Sequence, residues 1–290
     1  MREPTRQFAL LGSTGFVGMS VARHLRQHRV DFESVPIRPW FTSRSIAPDG
    51  GMPLLRLRQA VDGKHVVIAV AAGVDGQRMS DEDQWLNEHG RPALAQLCEE
   101  GGAASITMIG SCFEFGPRDR FALIQSGETE YPSDVYSSTL LAGCRKFLAA
   151  QGSVPRKYLR LFQLFGKGER GSRLFPSVCN ALRSGIGVEL RTPNAIRDFC
   201  LVDDVASVVT VIAQSDEHVG KMNICSGHGM SVREFAELCA DAFAIAPDKR
   251  KSMLRFGPSR HPYPFLVGEP YDDACKTTPI DMHSLSKALA

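Results

Sequence analysis

A loop near the start of the chain has the residue types that bind a phosphate through the backbone. It reads Gly12-Ser13-Thr14-Gly15-Phe16-Val17-Gly18, with a glycine at every third position. Glycines allow a tight turn and a close approach of backbone to a pyrophosphate, which the positive N-terminus of the next helix stabilises. A glycine triplet also occurs in ordinary strand–helix turns, so the surrounding elements decide between the two. The residues that we expect to bind a dinucleotide here are Gly12, Thr14, Gly15, Phe16, Val17 and Gly18.

The elements around the loop are those that a dinucleotide site requires. Short apolar runs alternate with helical patterns over the first two-thirds of the chain, which predicts βαβ units and a parallel sheet. The predicted strands are Phe8–Leu11, Phe32–Ile37, Val66–Ala71, Ser105–Ile109, Tyr158–Leu164 and a short strand at 222–224. The predicted helices are Val17–Gln27, Trp85–Glu99, Tyr136–Ala150, Val205–Ala213 and Val232–Phe243. The predicted fold class is therefore α/β, a Rossmann-type doubly wound parallel sheet, with the loop between the first strand and the first helix.

The alternation becomes irregular after about residue 165. Gly, Pro and Arg are concentrated between Gly166 and Asp198. We expect residues 1–165 to form an NADP(H)-binding Rossmann domain. We expect residues 166–290 to form mostly a small C-terminal substrate-binding lobe, with some segments returning to the Rossmann core.

The end of the second predicted strand indicates which dinucleotide is bound. In NAD-binding folds an acidic residue there holds the ribose 2′-hydroxyl, whereas an arginine accommodates the 2′-phosphate of NADP. This strand runs into Arg38, with Arg44 a few residues later. Arg38 thus favours NADP(H), the alternative being that Arg38 is a solvated surface residue.

Composition excludes several other classes of function. The 290 residues carry a net charge of +2, so bulk charge indicates no nucleic-acid partner. The eight cysteines include no C-x-x-C pair, which favours reduced thiols in a cytoplasmic protein over a metal site or a disulfide framework. No apolar run is long enough for a membrane helix or a signal segment.

Seven segments, taken in chain order, resemble the extended short-chain dehydrogenase/reductase family. Within that family, the segments most resemble those of the NAD(P)-dependent nucleoside-diphosphate-sugar epimerases and 4-ketoreductases. The resemblance covers roughly residues 8–245 and is looser beyond. The segments are Val66–Ala72, Asn87, Ser111–Gly116 (S-x-x-x-Y-G), Gly127–Tyr136 (E-x-x-x-P…Y), Arg160–Gly166 (R-x-x-N-x-Y-G), Arg197–Val205 (R-D-F…V-D-D-V) and Asn223–Gly227 (N-I-x-S-G).

This resemblance implies roles for particular residues. Ser111 would bind the reacting carbonyl and Tyr136 would donate the proton, while Ala71 and Ala72 would pass beneath the cofactor. Asn87 would support the active site. The residues that the resemblance places near the diphosphate of a nucleotide sugar are Gln163, Arg173 and Arg197. It also implies a homodimer formed through the helix that bears Tyr136.

One position departs from the family pattern. The lysine expected four residues after the tyrosine, which lowers the pKa of the phenol, is replaced by Leu140. A phenol near its ordinary pKa of about 10 can still donate a proton at neutral pH. One explanation is therefore an oxidoreductase that only reduces ketones. The other is a family member that binds NADP(H) without redox turnover, as a regulator, partner subunit or non-redox enzyme.

The preferred expectation is NADPH-dependent reduction of a keto group on a nucleotide-linked deoxysugar. Epimerases and dehydratases of the family begin by oxidising the sugar, and Leu140 argues against that step. The usual dehydratase Asp-Glu pair is replaced by Cys112 and Phe113. An epimerase and a redox-inactive cofactor-binding protein remain as alternatives.

Overall fold

A short apolar strand, Phe8–Leu11, is completely buried and begins the central sheet. The computed structural model describes residues 7–35, 37, 41–42, 45–46, 52–72, 79–118, 120–258 and 264–290. Its strands are β1 Phe8–Leu11, β2 Phe32–Val35, β3 Phe41–Thr42, β4 Ser45–Ile46, β5 His65–Ile68, β6 Ser105–Ser111, β7 Arg156–Leu161, β8 Gln163–Phe165, β9 Val188–Leu190, β10 Ile196–Leu201, β11 Gly220–Ile224, β12 Gly229–Ser231, β13 Leu254–Phe256 and β14 Phe265–Leu266.

Ten α-helices lie within the described residues. They are α1 Phe16–Gln27, α2 Met52–Val61, α3 Asp81–Trp85, α4 Arg91–Glu100, α5 Val135–Ala149, α6 Leu174–Ser184, α7 Val202–Gln214, α8 Val232–Ala242, α9 Pro247–Met253 and α10 Met282–Leu289. A π-helical turn, Leu86–Gly90, joins α3 to α4, and 3₁₀ turns occur at Cys112–Phe115 and Asp273–Cys275. In the described part of the chain, no helix is long and apolar enough to cross a membrane.

The central sheet has six strands in the order β11-β7-β6-β5-β1-β2. The pairs from β2 through β7 are parallel. The chain leaves β1 towards β2 and then crosses back to place β5 on the other side of β1. Strand order therefore reverses between β1 and β5, and in such sheets ligands bind beside the carboxyl ends of the strands at that reversal. The α/β Rossmann-type fold is confirmed.

The chain divides into two compact units. The sheet unit comprises Met1–Gly116, Gly127–Leu161 and Ala206–Met222. The second unit comprises Pro117–Ser126, Phe162–Val205 and Asn223–Ala290. In the sheet unit, apolar side chains of β1, β5 and β6 form a core with those of α2, α4 and α5. In the second unit, Phe199 of β10 stacks on Phe235 of α8 with ring centroids 4.0 Å apart, at the centre of a separate core.

Two elements that the sequence predicts as continuous are each divided in the structure. The apolar run Tyr158–Leu164 is not one strand: β7 ends at Leu161, and β8 then pairs with β10 of the second unit. The predicted helix Trp85–Glu99 is interrupted by the π-helical turn Leu86–Gly90. A hydrophobic pattern predicts that a residue is buried but not which element buries it, so the sequence does not indicate where a strand changes its pairing partner.

Candidate functional site

The glycine loop has a geometry that only glycine satisfies at two positions. Gly12 has φ +92°, and a Cβ there would lie 2.7 Å from the carbonyl oxygen of Ala69. A Cβ on Gly18 would lie 2.1 Å from the carbonyl oxygen of Gly12. The loop is therefore folded tightly against the start of α1 and against the segment that follows β5.

The N-terminus of α1 is left open beside this loop. Its N-cap is Gly15, no side chain caps it, and its first turn contains no acidic residue. Thr14 and Gly15 are exposed. Exposed backbone amides at a positive helix end are the groups that bind a pyrophosphate, so a dinucleotide fits the residues present here.

We expect Gly18→Ala to weaken dinucleotide binding by more than about 10-fold, since relief of the clash with Gly12 must displace the loop. Titration calorimetry with NADPH and NADH measures the effect. Gly127→Ala is the matched control because a Cβ at Gly127 meets no atom within 4 Å. Equal affinity of the two variants would contradict the assignment of the loop.

Asn87 fixes the segment that follows β5. Its Nδ2 donates to the carbonyl of Ala72 and its Oδ1 accepts from the Ala72 amide, both at 3.0 Å. Nδ2 also lies 3.4 Å from Oγ1 of Thr139 on α5. Asn87 is fully buried in the π-helical turn, a feature that is frequent at functional sites. These contacts join Asn87 to the segment that contains the exposed Ala71 and the half-buried Ala72, and its support of an active site stays a prediction.

Ser111 ends strand β6 and begins the 3₁₀ turn Cys112–Phe115. Its Oγ accepts a hydrogen bond from the Phe113 amide at 3.3 Å, and its own amide donates to Oε1 of Glu114 at 2.8 Å. A serine oxygen that accepts from the backbone still has its O–H to donate. Ser111 is 9% exposed, so solvent has little access to this residue, and a hydrogen bond to a carbonyl is strong in such a low-dielectric environment.

Tyr136 lies in the first turn of α5 and is half-buried. The helix begins at Val135 because Asp134 caps it: the Asp134 carboxylate accepts from the Ser137 amide at 2.8 Å and from the Ser137 hydroxyl at 2.9 Å. Helix α5 packs against β6, β7 and the turn that follows Ser111. Both candidate catalytic residues thus lie on elements packed against each other within the sheet unit.

Leu140 is fully buried on the same helix. Its carbonyl oxygen lies 3.4 Å from the hydroxyl of Tyr158. The side chain belongs to the apolar interior, so the position that we align with the family's lysine carries no charge and is closed to solvent.

A buried ionic cluster lies behind Ser111, and the sequence analysis missed it. Glu114 is fully buried, accepts from the hydroxyl of Tyr158 at 2.7 Å, and pairs with Nε of Arg160 at 3.1 Å. Arg160 also pairs with Glu130, which binds Lys221. Burial acts to raise the pKa of Glu130, but Lys221 and Arg160 hold it below its usual value. The spacing of Ser111 and Glu114, S-x-x-E, is a capping-box signal that could have indicated this contact.

The second unit holds two of the predicted substrate-binding residues on neighbouring strands. Gln163 of β8 is in register with Phe199 of β10, and Arg197 is two residues before Phe199. Successive side chains alternate along a strand, so Arg197 and Phe199 share a face. Arg197 is 5% exposed and donates from Nη1 to the carbonyl of Ile196 at 2.7 Å, so it is not an exposed surface arginine.

Asp198, on the opposite face of β10, holds the turn at Ser226 and Gly227. Its carboxylate accepts from the Ser226 amide, the Ser226 hydroxyl and the Gly227 amide at 2.6–2.9 Å. Burial raises the pKa of Asp198, and these donors oppose that shift. The R-D-F and N-I-x-S-G segments noted in the sequence are therefore joined through this carboxylate.

Arg173, the third predicted substrate residue, is the N-cap of α6. Its Nε lies 4.0 Å from Oε1 of Glu169, whose side chain is only 4% exposed. Oε2 of Glu169 is buried without a hydrogen-bond partner. Burial raises the pKa of Glu169 to about 8, with Arg173 opposing the shift.

The raised pKa of Glu169 predicts that the free energy of unfolding depends on pH. The folded protein holds the proton up to about pH 8, whereas the unfolded chain loses it near 4.5, so the native state binds more protons in between. The free energy of unfolding should therefore fall by about 1 to 3 kcal/mol as pH rises from 5 to 8. Urea unfolding at pH 5, 6.5 and 8 measures it. Glu169→Gln should flatten the dependence, and Glu217→Gln, at an exposed carboxylate, should not; no difference between them would contradict the assignment.

Arg38 lies outside the described residues, whereas Ser34 of β2 contacts the glycine loop through Oγ of Ser13 at 2.5 Å. All eight cysteines are buried free thiols. Cys112, beside Ser111, is among them.

Comparison with known proteins identifies relatives of this chain. Residues 9–225 match the model of the NAD dependent epimerase/dehydratase family. The dTDP-L-rhamnose 4-epimerase of Burkholderia thailandensis is 27% identical over 139 residues, which are 45% of this chain. Those residues span only 38% of that relative's length.

Solved structures resemble this fold over nearly the whole chain. MoeE5 in complex with UDP-glucose and NAD has a TM-score of 0.78 at 22% identity, covering 98% of this chain and 97% of MoeE5. Bordetella bronchiseptica WbmG in complex with NAD and UDP has a TM-score of 0.76 at 18% identity, covering 97% and 92%. DesIV, a dTDP-glucose 4,6-dehydratase from Streptomyces venezuelae with NAD and TYD bound, has a TM-score of 0.78 at 14% identity, covering 98% and 95%. At these identities the likeness establishes the fold.

Proposed function

This chain belongs to the NAD dependent epimerase/dehydratase family, and on that premise we propose that it reduces a keto group on a nucleotide-linked deoxysugar with NADPH. The observation that carries the proposal is the pairing of a held Ser111 hydroxyl with a tyrosine-bearing helix whose lysine position is a buried leucine. This arrangement can donate a proton but is poorly suited to removing one.

The cofactor is supported by the glycine cradle at Gly12 and Gly18, which a Cβ would fill. Residues of the loop and the open N-terminus of α1 would hold its pyrophosphate, and the Asn87-held segment at Ala71 and Ala72 would lie beneath it. When bound, the nicotinamide supplies a hydride to the carbonyl carbon. Arg38 is our basis for NADP(H) over NAD, although the three solved relatives named above contain NAD.

The chain's own residues would handle the carbonyl oxygen. The Ser111 hydroxyl donates a hydrogen bond to it, and the Tyr136 phenol transfers a proton to it as negative charge develops. The family's lysine, a cation that would favour the phenolate, is replaced by the uncharged Leu140. Reduction uses the protonated phenol directly, whereas oxidation needs the phenolate.

The substrate's diphosphate would be held by the second unit. We assign Gln163, Arg173 and Arg197 to this role, with Arg197 the strongest candidate because a buried guanidinium binds phosphate oxygens bidentately. The proposal places the protein in the cytoplasm, where eight reduced thiols are stable.

A second candidate function is sugar epimerisation. It is favoured by the epimerase from Burkholderia thailandensis, which aligns with under half of this chain. An epimerase must first oxidise its substrate, so the two functions differ in whether the oxidised cofactor and a hydroxyl sugar give any turnover.

Calorimetric titration of NADPH, NADP⁺, NADH and NAD⁺, followed by turnover with keto-sugar nucleotides, tests the proposal. We expect tighter binding of NADPH than of NADH and loss of NADPH absorbance when a keto-sugar nucleotide is added. Binding of no dinucleotide would overturn the proposal. Binding without turnover on any keto or hydroxyl sugar nucleotide would favour a redox-inactive family member instead.

A further inference from the structure

We propose that Glu114 is a positioning residue that sets the orientation of Ser111 and ties it to the helix that carries Tyr136. The inference rests on the proposed function and goes beyond it, because it assigns a role in the site to a buried carboxylate that takes no part in the proton or hydride transfer. It stands on the Glu114 cluster, defined as Glu114, Glu130, Tyr158 and Arg160.

The carboxylate of Glu114 is fully buried, and an unpaired buried charge is strongly unfavourable. Three donors converge on it. Oε1 accepts from the Ser111 amide at 2.8 Å and from the Tyr158 hydroxyl at 2.7 Å, and Oε2 accepts from Nε of Arg160 at 3.1 Å. Burial keeps the pKa of Tyr158 well above 10, so its hydroxyl keeps the proton that it donates.

These bonds hold Ser111 from two sides. Glu114 grips the Ser111 amide, while the Phe113 amide, from inside the same turn, donates to the Ser111 hydroxyl oxygen at 3.3 Å. The orientation of the Ser111 hydroxyl is therefore fixed by hydrogen bonds to the turn as well as by the strand. A group that binds a developing negative charge must be placed this accurately to be useful.

The same carboxylate connects Ser111 to α5. The Tyr158 hydroxyl that donates to Glu114 lies 3.4 Å from the Leu140 carbonyl oxygen of that helix. Gly110 makes room for the tyrosine ring, since a Cβ there would lie 2.3 Å from the ring. Ser111 and the helix bearing Tyr136 therefore share one buried anchor, with Arg160 and Glu130 as its outer partners.

The negative charge of Glu114, and not only the size of its side chain, is needed to hold the three donors. A glutamine at position 114 has the same shape but one oxygen acceptor and an NH₂ group that only donates. Its NH₂ group would face either Nε of Arg160 or the pair formed by the Ser111 amide and the Tyr158 hydroxyl, so at least one of these three donors would lose its acceptor. Loss of the carboxylate charge also removes the ion pair of the buried Arg160 guanidinium, and we expect the Ser111 turn to shift as the cluster rearranges.

The test is Glu114→Gln in the full chain, with Glu234→Gln as the matched control. Glu234 makes the same capping contact to Ser231 of the second unit, at 2.8 Å, on an exposed helix end. We expect E114Q to lower kcat for keto reduction by about 10- to 100-fold, with a smaller change in KM, and E234Q to leave both unchanged.

A double-mutant comparison separates positioning from general damage. If Glu114 acts through Ser111, E114Q should lower kcat no further in a Ser111→Ala background, because the group that it positions is already gone. Multiplying effects of the two substitutions would overturn the inference. Tyr158→Phe, which removes one donor and keeps the ion pair, serves as a second variant where E114Q folds poorly, and the same non-additivity is expected.

A readout that needs no turnover keeps this inference separate from the proposed function. Hydrogen exchange of the Ser111 amide, followed by NMR, should be slow in the wild type and in E234Q and at least about 10-fold faster in E114Q. Failure of every keto-sugar nucleotide to react would refute the proposed function alone. An unchanged Ser111 exchange rate in folded E114Q would refute the positioning role, whatever the activity.

Discussion

Tyr136→Phe should lower kcat for keto reduction by about 10²- to 10⁴-fold while leaving the fold and dinucleotide affinity in place. The phenol supplies the proton in the proposed reaction, and phenylalanine keeps the ring and removes only the donor. The helix start is capped by Asp134 and Ser137, so it does not depend on the phenol. Steady-state kinetics with NADPH and a keto-sugar nucleotide measures the loss.

The matched control for this prediction is Tyr131→Phe. Tyr131 is 65% exposed and five positions earlier, and it carries the same hydroxyl without a role in the proposed mechanism. We expect its kcat to equal that of the wild type. If Tyr136→Phe retained full turnover, the proton would have to come from another group, and Tyr136 would be removed from the mechanism.

Leu140→Lys should lower the free energy of unfolding by about 3 to 5 kcal/mol, because it places an unpaired ammonium where a fully buried leucine now packs. Burial should also depress the pKa of the new lysine, so the loss should shrink as pH rises. Urea unfolding at pH 6 and pH 9 measures both effects.

Two controls isolate the cause. Leu140→Met changes shape without charge and should cost less than about 1.5 kcal/mol. Ser138→Lys adds the same charge at an exposed position of the same helix and should be nearly neutral. A stable Leu140→Lys variant would mean that the side chain reaches the cofactor side of α5. We would then expect it to gain oxidation of a hydroxyl sugar by the oxidised dinucleotide.

Much of the site lay within reach of the sequence because it depends on short-range geometry. The glycine spacing of the loop predicted a turn between β1 and α1, and the clash of a Cβ at Gly18 with Gly12 has the same local origin, whereas the clash at Gly12 is with Ala69 after β5. Asn87 was placed by its order among other landmarks, and its bonds to Ala72 fit that placement. The NADP(H) preference drawn from Arg38 stays a prediction, since that residue is outside the described part of the chain.

Other features were not accessible from pattern. The run Tyr158–Leu164 gave no sign that its end joins a different sheet, because both halves are apolar and both are buried. The π-helical turn that turns Asn87 inward differs from an α-helix by its hydrogen-bond ladder, which composition does not encode. Glu114 stood out only as a charge in an apolar segment.

The sequence by itself determined the order of strands and helices, the turn that we propose receives a pyrophosphate, and the presence of a serine and a tyrosine in the family's order. Each of these depends on residues close together in the chain, where spacing sets geometry. Only the tertiary structure decided what surrounds them. Glu114 meets Arg160 from 46 residues away because strands β6 and β7 are neighbours in the sheet. Leu140 is closed to solvent because α5 packs on those strands. Burial and long-range pairing are properties of the packed chain, and they set the charge and orientation of the groups that would react.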